Sequence, residues 1–262
     1  MTQPPAVTTS TRGPVRTIRL DRPARMNSLD LSTRRQLLTA VQTAADDPEV
    51  RAVVLTGTGR AFCVGQDLEE ARTAPGPDAM ANAVREHYSP LIRTLLTTPK
   101  PVIAAVNGVA AGAGMALALA CDVRIAATSA TFTTAFAGIG LSCDTGISWT
   151  LPRIAGRAVA IDLLLRPRLL GAAEALDLGL VHQVSADEDL HATVHRSAAA
   201  LAAGPTVAFA AMKAAVTHAS ASTLDAALEY EARQIAHTGA SDDYRLGLDA
   251  FLTKQRPSFT GR

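Results

Sequence analysis

The stretch PVIAAVNGVAAGAGMALALAC, residues 101–121, decides the fold. It carries no charge over 21 positions, and its Gly108-x-x-x-Gly112 spacing imitates a membrane helix-dimer motif. Asn107, three glycines and the dominance of alanine over leucine, isoleucine and phenylalanine argue against a membrane span. The stretch instead divides into a buried strand over Val102–Val106, a glycine-rich turn, and a buried helix over Gly112–Ala120. A strand that passes through glycine into a helix is the unit of a parallel α/β layer.

The flanking sequence repeats the pattern. Upstream, Val15–Leu20 reads as a strand closed by Asp21-Arg22-Pro23. Leu31–Ala45 reads as an amphipathic helix carrying Leu38, Val41 and Ala45 at helical spacing, stopped by Asp46-Asp47-Pro48. Arg51–Thr56 is a short apolar strand running into Gly57-Thr58-Gly59. Thr73–Asp78 is a loop, and Ala79–Thr97 a helix ended by Pro99-Lys100-Pro101. Downstream, Val123–Ala126 is a further strand. After Gly204-Pro205 only helical periodicity is left, over Thr206–His218, Thr223–His237 and Asp242–Lys254. The reading is an α/β chain with a disordered leader over residues 1–12, a core domain over 13–204 and a helical C-terminal subdomain over 205–262.

Composition narrows the function. With 25 basic and 24 acidic residues the net charge is +1, so no single-sign field draws nucleic acid or an anionic membrane, and an anionic ligand needs local groups. Cys63, Cys121 and Cys143 are odd in number and lack C-x-x-C spacing, which suits a reducing cytoplasm. Met1–Arg12 is rich in Thr and Pro and has no apolar core, unlike a signal peptide. Gly57-x-Gly59 and Gly112-x-Gly114 both fail as dinucleotide fingerprints, because Phe62 and Leu117 stand in the third glycine position. His191 and His195 are four apart and share a helix face, as metal ligands would, but a solvated helix surface is far the commoner setting for such a pair. Chemistry without metal or cofactor is the default expectation.

Two glycine turns and one carboxylate are left to carry chemistry. Gly65 frees the next amide, that of Gln66, to point at a ligand. Gly112–Gly114 opens a helix whose first-turn amides are unsatisfied and partly positive. Asp144, in Cys143-Asp144-Thr145-Gly146, stands ahead of an apolar stretch, either as a base or as a cap for the helix that follows. Two backbone oxyanion donors and one carboxylate are a minimal set for moving a proton next to a carbonyl.

These residues resemble the crotonase superfamily of enoyl-CoA hydratases and isomerases from about Gly13 to Arg262. The matching blocks are Phe62-Cys63-x-Gly65-Gln66-Asp67-Leu68, Val106-Asn107-Gly108-x-Ala110-x-Gly112-x-Gly114, Cys121-Asp122 and Leu151-Pro152-Arg153. Within it, the Gly-Gln-Asp-Leu block, Asp144-x-Gly146-x-x-Trp149 and the tail from Ala250 to Gly261 look most like the ring-1,2-epoxyphenylacetyl-CoA isomerases of the phenylacetate pathway. The resemblance implies a spiral of β-β-α turns, a homo-trimer or homo-hexamer, and an acyl-CoA thioester as substrate, with coenzyme A entering only as part of it. It places the oxyanion amides at Gln66 and Ala113 beside Gly112. It places the nucleotide of CoA along Ala24, Arg25 and Met26, with Arg25 toward a phosphate and Asp67 and Leu68 toward the adenine. Phe251 and Lys254 match positions that reach a neighbouring subunit's CoA. The two glutamates that hydratases use fall on Ala116 and Phe136, expected to line an apolar pocket instead, which leaves Asp144 as the one acid/base. Cys143 stands where related isomerases carry proline. Tyr88 and Trp149 are candidates for the acyl pocket or for plain core. The expected activity is isomerisation of a double bond or an epoxide next to the thioester. A fatty-acid hydratase and an inert acyl-CoA binder are the alternatives.

Overall fold

The computed structural model describes residues 5–73 and 76–262. Strands β1 (Val7–Arg12) and β2 (Val15–Leu20) form an antiparallel hairpin in register from Val7↔Leu20 to Arg12↔Val15, turned by Gly13 at φ 55°. This corrects the disordered leader. A Thr-rich segment with little apolar character still satisfies its backbone by pairing along a neighbour, and threonine suits a half-exposed strand. Residues 1–4 of that leader lie outside the described residues, as do two positions of the loop expected over Thr73–Asp78. Helix α1 (Leu31–Asp46) begins at an Asp30 cap whose carboxylate accepts from the Thr33 amide at 2.8 Å. Its buried apolar stripe is Leu37, Val41 and Ala44: Val41 is as predicted, and the other two stand one residue before Leu38 and Ala45.

The spiral is visible in how successive strand pairs divide between two sheets. The pairs are β3 (Ala52–Gly57) with β4 (Ala61–Cys63), β5 (Val102–Val106) with β6 (Val109–Ala111), and β7 (Val123–Ala127) with β8 (Thr131–Thr133). Between the first and second pairs lie α2 (Leu68–Thr73), α3 (Pro77–Ala83) and α4 (Ser89–Thr97), and between the second and third lies α5 (Ala113–Leu119). After β8 come α6 (Ile147–Ala155), α7 (Arg157–Leu165), β9 (Leu170–Gly171), α8 (Ala172–Asp177), β10 (Gln183–Ser185) and α9 (Leu190–Ala202). The first strand of each pair joins a sheet ordered β1-β2-β3-β5-β7-β10, and the second a sheet ordered β4-β6-β8-β9. Strands β3 and β5 are buried along their whole length, as parallel strands covered on both faces must be. The tempting membrane segment is therefore β5, β6 and α5, and among the described residues no single helix is long and apolar enough to cross a membrane.

The helix predicted over Ala79–Thr97 is broken into α3, a π turn over Val84–Tyr88, and α4. Pro90 has no N–H for the turn before it, so the regular ladder cannot run through. The three helices expected after residue 204 are present as α10 (Thr206–Ala219), α11 (Leu224–Gly239) and α12 (Asp242–Leu252). Polar contacts pin this part to the core. Arg51 donates to the carbonyls of Gly204 at 2.5 Å and Phe259 at 3.0 Å, and Lys213 reaches Asp122 at 2.6 Å and the Lys100 carbonyl at 2.9 Å.

Candidate active site

The parallel pairing of β4 with β6 brings the exits of both strands side by side. Strand β4 leaves through Gly65 at φ 86°, and β6 leaves through Gly112 at φ 52°, the N-cap of α5. The exits touch: a β-carbon on Gly65 would stand 2.9 Å from the Ala111 carbonyl oxygen and 3.1 Å from the Ala113 nitrogen. On the other side the Leu29 amide donates to the Gly65 carbonyl at 2.7 Å and the Asp67 amide to the Leu29 carbonyl at 3.3 Å, which brackets Gln66. Among the described residues, neither the Gln66 nor the Ala113 amide has an acceptor. Two free N–H groups on adjoining turns are the arrangement an oxyanion needs.

Asp144 enters from the loop ahead of α6. That loop holds Ala135 and Thr145 at positive φ (60° and 52°), a costly conformation for residues with a β-carbon and one that gathers at functional sites. The N-cap of α6 is Gly146, with no side-chain cap, so the carboxylate is not spent on the helix. Its hydrogen bond comes from Thr145 Oγ1 at 2.6 Å. Burial pushes the Asp144 carboxyl above its ordinary range, and the Thr145 hydroxyl only partly opposes this.

A cavity of about 390 Å³ joins these parts, within the usual range for small-ligand sites. Gln66, Asp67, Leu68, Gly112, Ala113, Phe136, Asp144 and Arg25 all line it. Two other carboxylates on its wall are already engaged. Arg25 pairs with Glu69 at 2.8 Å, and Asp67 is held by Arg22 at 3.1 Å and Ser28 at 3.0 Å. Burial opposes ionisation of Asp67, but the hydrogen bonds from Ser28 and Arg22, with the arginine's charge, outweigh it and keep the carboxyl below its ordinary range. Among the described residues lining the cavity, Asp144 is thus the carboxylate without a cation.

Several expectations need correction. Ala116 is fully buried in the middle of α5 and does not line the cavity, because its methyl is too short to leave the helix packing. Ala24 and Met26 stand on the adjoining turn rather than on the wall, with the Met26 sulfur accepting from Arg60 at 3.7 Å. Phe251, 81% exposed, and Lys254 lie at the end of α12, away from this chain's cavity, which leaves the expectation that they reach a neighbour's CoA as it stood. Tyr88 is core, its hydroxyl accepting from Arg34 at 3.2 Å, and Trp149 lies under the Arg153 guanidinium at 4.1 Å. Sequence reasoning missed Ile139 and Leu141, which wall the mouth while 55% and 37% exposed. The available signal was the run Ala135–Leu141, where large apolar residues are separated by glycine and small residues in a stretch with no regular period. Among the described residues, no cluster of three or more His, Cys, Asp or Glu is placed to hold a metal.

The sequence profile described as "Enoyl-CoA hydratase/isomerase" matches residues 10–262. The chain belongs to the enoyl-CoA hydratase/isomerase family. A 1,2-epoxyphenylacetyl-CoA isomerase of Escherichia coli is 45% identical over 95% of each chain. A probable enoyl-CoA hydratase of Rhodobacter capsulatus is 47% identical over 94% of each. The crystal structure of an enoyl-CoA hydratase from Mycobacterium smegmatis superposes with a TM-score of 0.93 at 31% identity, covering 98% of this chain and 99% of that one. The crotonase spiral expected from the sequence is the fold of this family member, and the family acts on acyl-CoA thioesters.

Proposed function

We propose that this enzyme is an isomerase that moves a proton along the acyl group of a CoA thioester, with Asp144 as its single acid/base. The observation that carries the reading is one desolvated, cation-free carboxylate in the cavity that also holds two free amides. The thioester oxygen sits between the Gln66 and Ala113 amides, which stabilise the negative charge as the enolate forms; one such donor is worth about 2.7–4 kcal/mol. Asp144 takes a proton from the carbon next to the carbonyl and returns it two carbons along, so the double bond moves and no atom is gained or lost. Apolar walls at Phe136, Ile139 and Leu141 keep bulk water from competing. Hydration requires polar groups that hold a water, and Phe136 and the buried Ala116 supply none.

The similarity to a 1,2-epoxyphenylacetyl-CoA isomerase supports an aromatic epoxide thioester as substrate, opened through the same enolate at the same site. No cofactor beyond the CoA of the substrate enters this scheme, and it is suited to a reducing cytoplasm where Cys63, Cys121 and Cys143 stay thiols. The exposed apolar residues of α10–α12, among them Val216, Ile235 and Phe251, support a trimer or hexamer in which Phe251 and Lys254 approach a neighbour's CoA. The test is turnover of 3-enoyl-CoA and of the epoxide thioester beside crotonyl-CoA hydration. Isomerisation with hydration well below about 10 per second is expected. Ordinary hydratase turnover would overturn the assignment.

A further inference from the structure

Helix α9 covers only part of its face of the larger sheet, and the part left open is a cleft rich in arginine and histidine. Alternation places Val15, Thr17 and Arg19 of β2 on that face. Parallel register sets Arg19 beside Thr56 of β3, and Thr56 beside Ala105 of β5, in one row across three strands. The hairpin register sets Arg12 of β1 opposite Val15. Helix α9 rises along the other side, buries Val194, and lines the cleft with His191, His195 and Arg196. Together they enclose about 440 Å³. A second hollow of about 530 Å³ adjoins it, sharing Arg12, Val15 and His195 and adding Arg51.

The positive charge of this place is left uncompensated. The chain as a whole is nearly neutral at +1, yet among the described residues no Asp or Glu lines either hollow. Arg12, Arg19 and Arg196 take part in no ion pair among the described residues. Arg51 donates only to neutral oxygens, those of Thr206, Gly204 and Phe259, so its charge is uncompensated too. The His191–His195 pair, which looked in sequence like half of a metal site, has no third ligand among the described residues. Its use here is as N–H donors on one wall of a cationic cleft. The floor, Val15, Val54 and Val194, is apolar.

We propose that this cleft binds a small polyvalent phosphate. Donors face it from two walls, a strand side with Arg12 and Arg19 and a helix side with Arg196 and the two histidines. A tetrahedral anion with three or more acceptor oxygens can satisfy both walls, whereas a planar carboxylate fills one arginine fork. The apolar floor and the adjoining hollow give room for an organic portion, so inorganic diphosphate and a nucleotide share the recognised chemistry. The cleft is separate from the catalytic cavity: no residue lines both.

The experiment is calorimetric titration of the purified enzyme at low salt with inorganic pyrophosphate and, separately, with ATP. It is run on wild type, on Asp144→Asn, and on the double variant Arg19→Gln/Arg196→Gln. Saturable binding is expected in wild type and Asp144→Asn, weakened about tenfold or more in the double variant, which should keep its circular dichroism and its turnover of acyl-CoA. Equal affinities for the two probes mark a phosphate-only ligand, and tighter ATP binding marks a nucleotide; either supports the site. No saturation up to about 10 mM, or unchanged affinity in a folded double variant, overturns it.

Discussion

Replacing Gly65 with alanine should disable the enzyme while leaving it folded, and the size of the effect follows from the geometry. At φ 86° a β-carbon costs about 1–2 kcal/mol before it meets anything. It then meets the Ala111 carbonyl oxygen at 2.9 Å and the Ala113 nitrogen at 3.1 Å. Both are backbone atoms and cannot swing aside as a side-chain tip would. Relief requires the two turns to part by a few tenths of an ångström, which displaces the Ala113 amide, the Gln66 amide, or both, from the thioester oxygen. Loss of one donor costs about 2.7–4 kcal/mol, roughly 10²- to 10³-fold in kcat. The control is Gly138→Ala in the same site's loop, where a β-carbon meets nothing within 4 Å and kcat should barely move. The assay is the absorbance change as a 3-enoyl thioester becomes conjugated, with a melting curve to confirm folding. A folded Gly65→Ala enzyme with kcat within about threefold of wild type would refute the assignment of these amides to the reacting oxygen.

Asp144→Asn should lower kcat about 10²- to 10⁴-fold with little change in KM. Because burial raises the Asp144 carboxyl, wild-type kcat should climb with pH through that raised value. The sign for stability is opposite: the folded state prefers the neutral acid, so its contribution is present below the ordinary carboxylate range and lost as pH rises through the folded pKa. The Asn variant should therefore melt at or above wild type at neutral pH, and a clearly lower melting temperature would count against a desolvated base. Lys213→Met strands Asp122, whose carboxyl it holds at 2.6 Å; with side chains 16% and 28% exposed, the loss should be about 1–3 kcal/mol, less than for a fully buried pair. Adding Asp122→Asn should restore most of it in chemical denaturation. Light scattering should report a trimer or hexamer at micromolar concentration, and a monomer would remove the reason for the apolar faces of α10–α12.

The parts of this molecule legible in the sequence are those whose cause is local. The strand Val102–Val106 has its predicted bounds, and the last three helices are within two residues at every end, because their apolar periodicity is long. The glycine turns at 65 and 112 are readable because glycine adopts such left-handed backbone angles at no steric cost. What escaped depends on partners distant in sequence. Strands β6 and β8 are three residues each, too short to show a period, and exist through pairing with β4, β9 and each other. Ile139 and Leu141 look like exposed loop until the turn at Phe136 folds them over the cavity. The family resemblance puts Ala116 at a pocket position, and a matched position does not say whether a methyl reaches the wall.

The glycines that admit the chemistry also let the spiral close. A β-carbon on Gly114 would stand 1.9 Å from the Cys63 carbonyl oxygen, and one on Gly108 2.1 Å from that of Arg60. Helix α5 can thus seat against β4 only because Gly114 has no side chain, as Gly108 lets the turn before β6 pass Arg60, and the same seating presents the Ala113 amide beside Gly65. The proposed oxyanion stabilisation is in this sense a property of the packing of two strand exits, carried by main-chain atoms rather than by the side chains of Gln66 and Ala113. In the proposed reaction, side-chain identity enters elsewhere, at Asp144 and along the wall from Phe136 to Leu141. A change of reaction on this frame should therefore be sought in that one loop: a second carboxylate there would meet the substrate, whereas one at the buried position 116 would first have to be given room in a helix that has none.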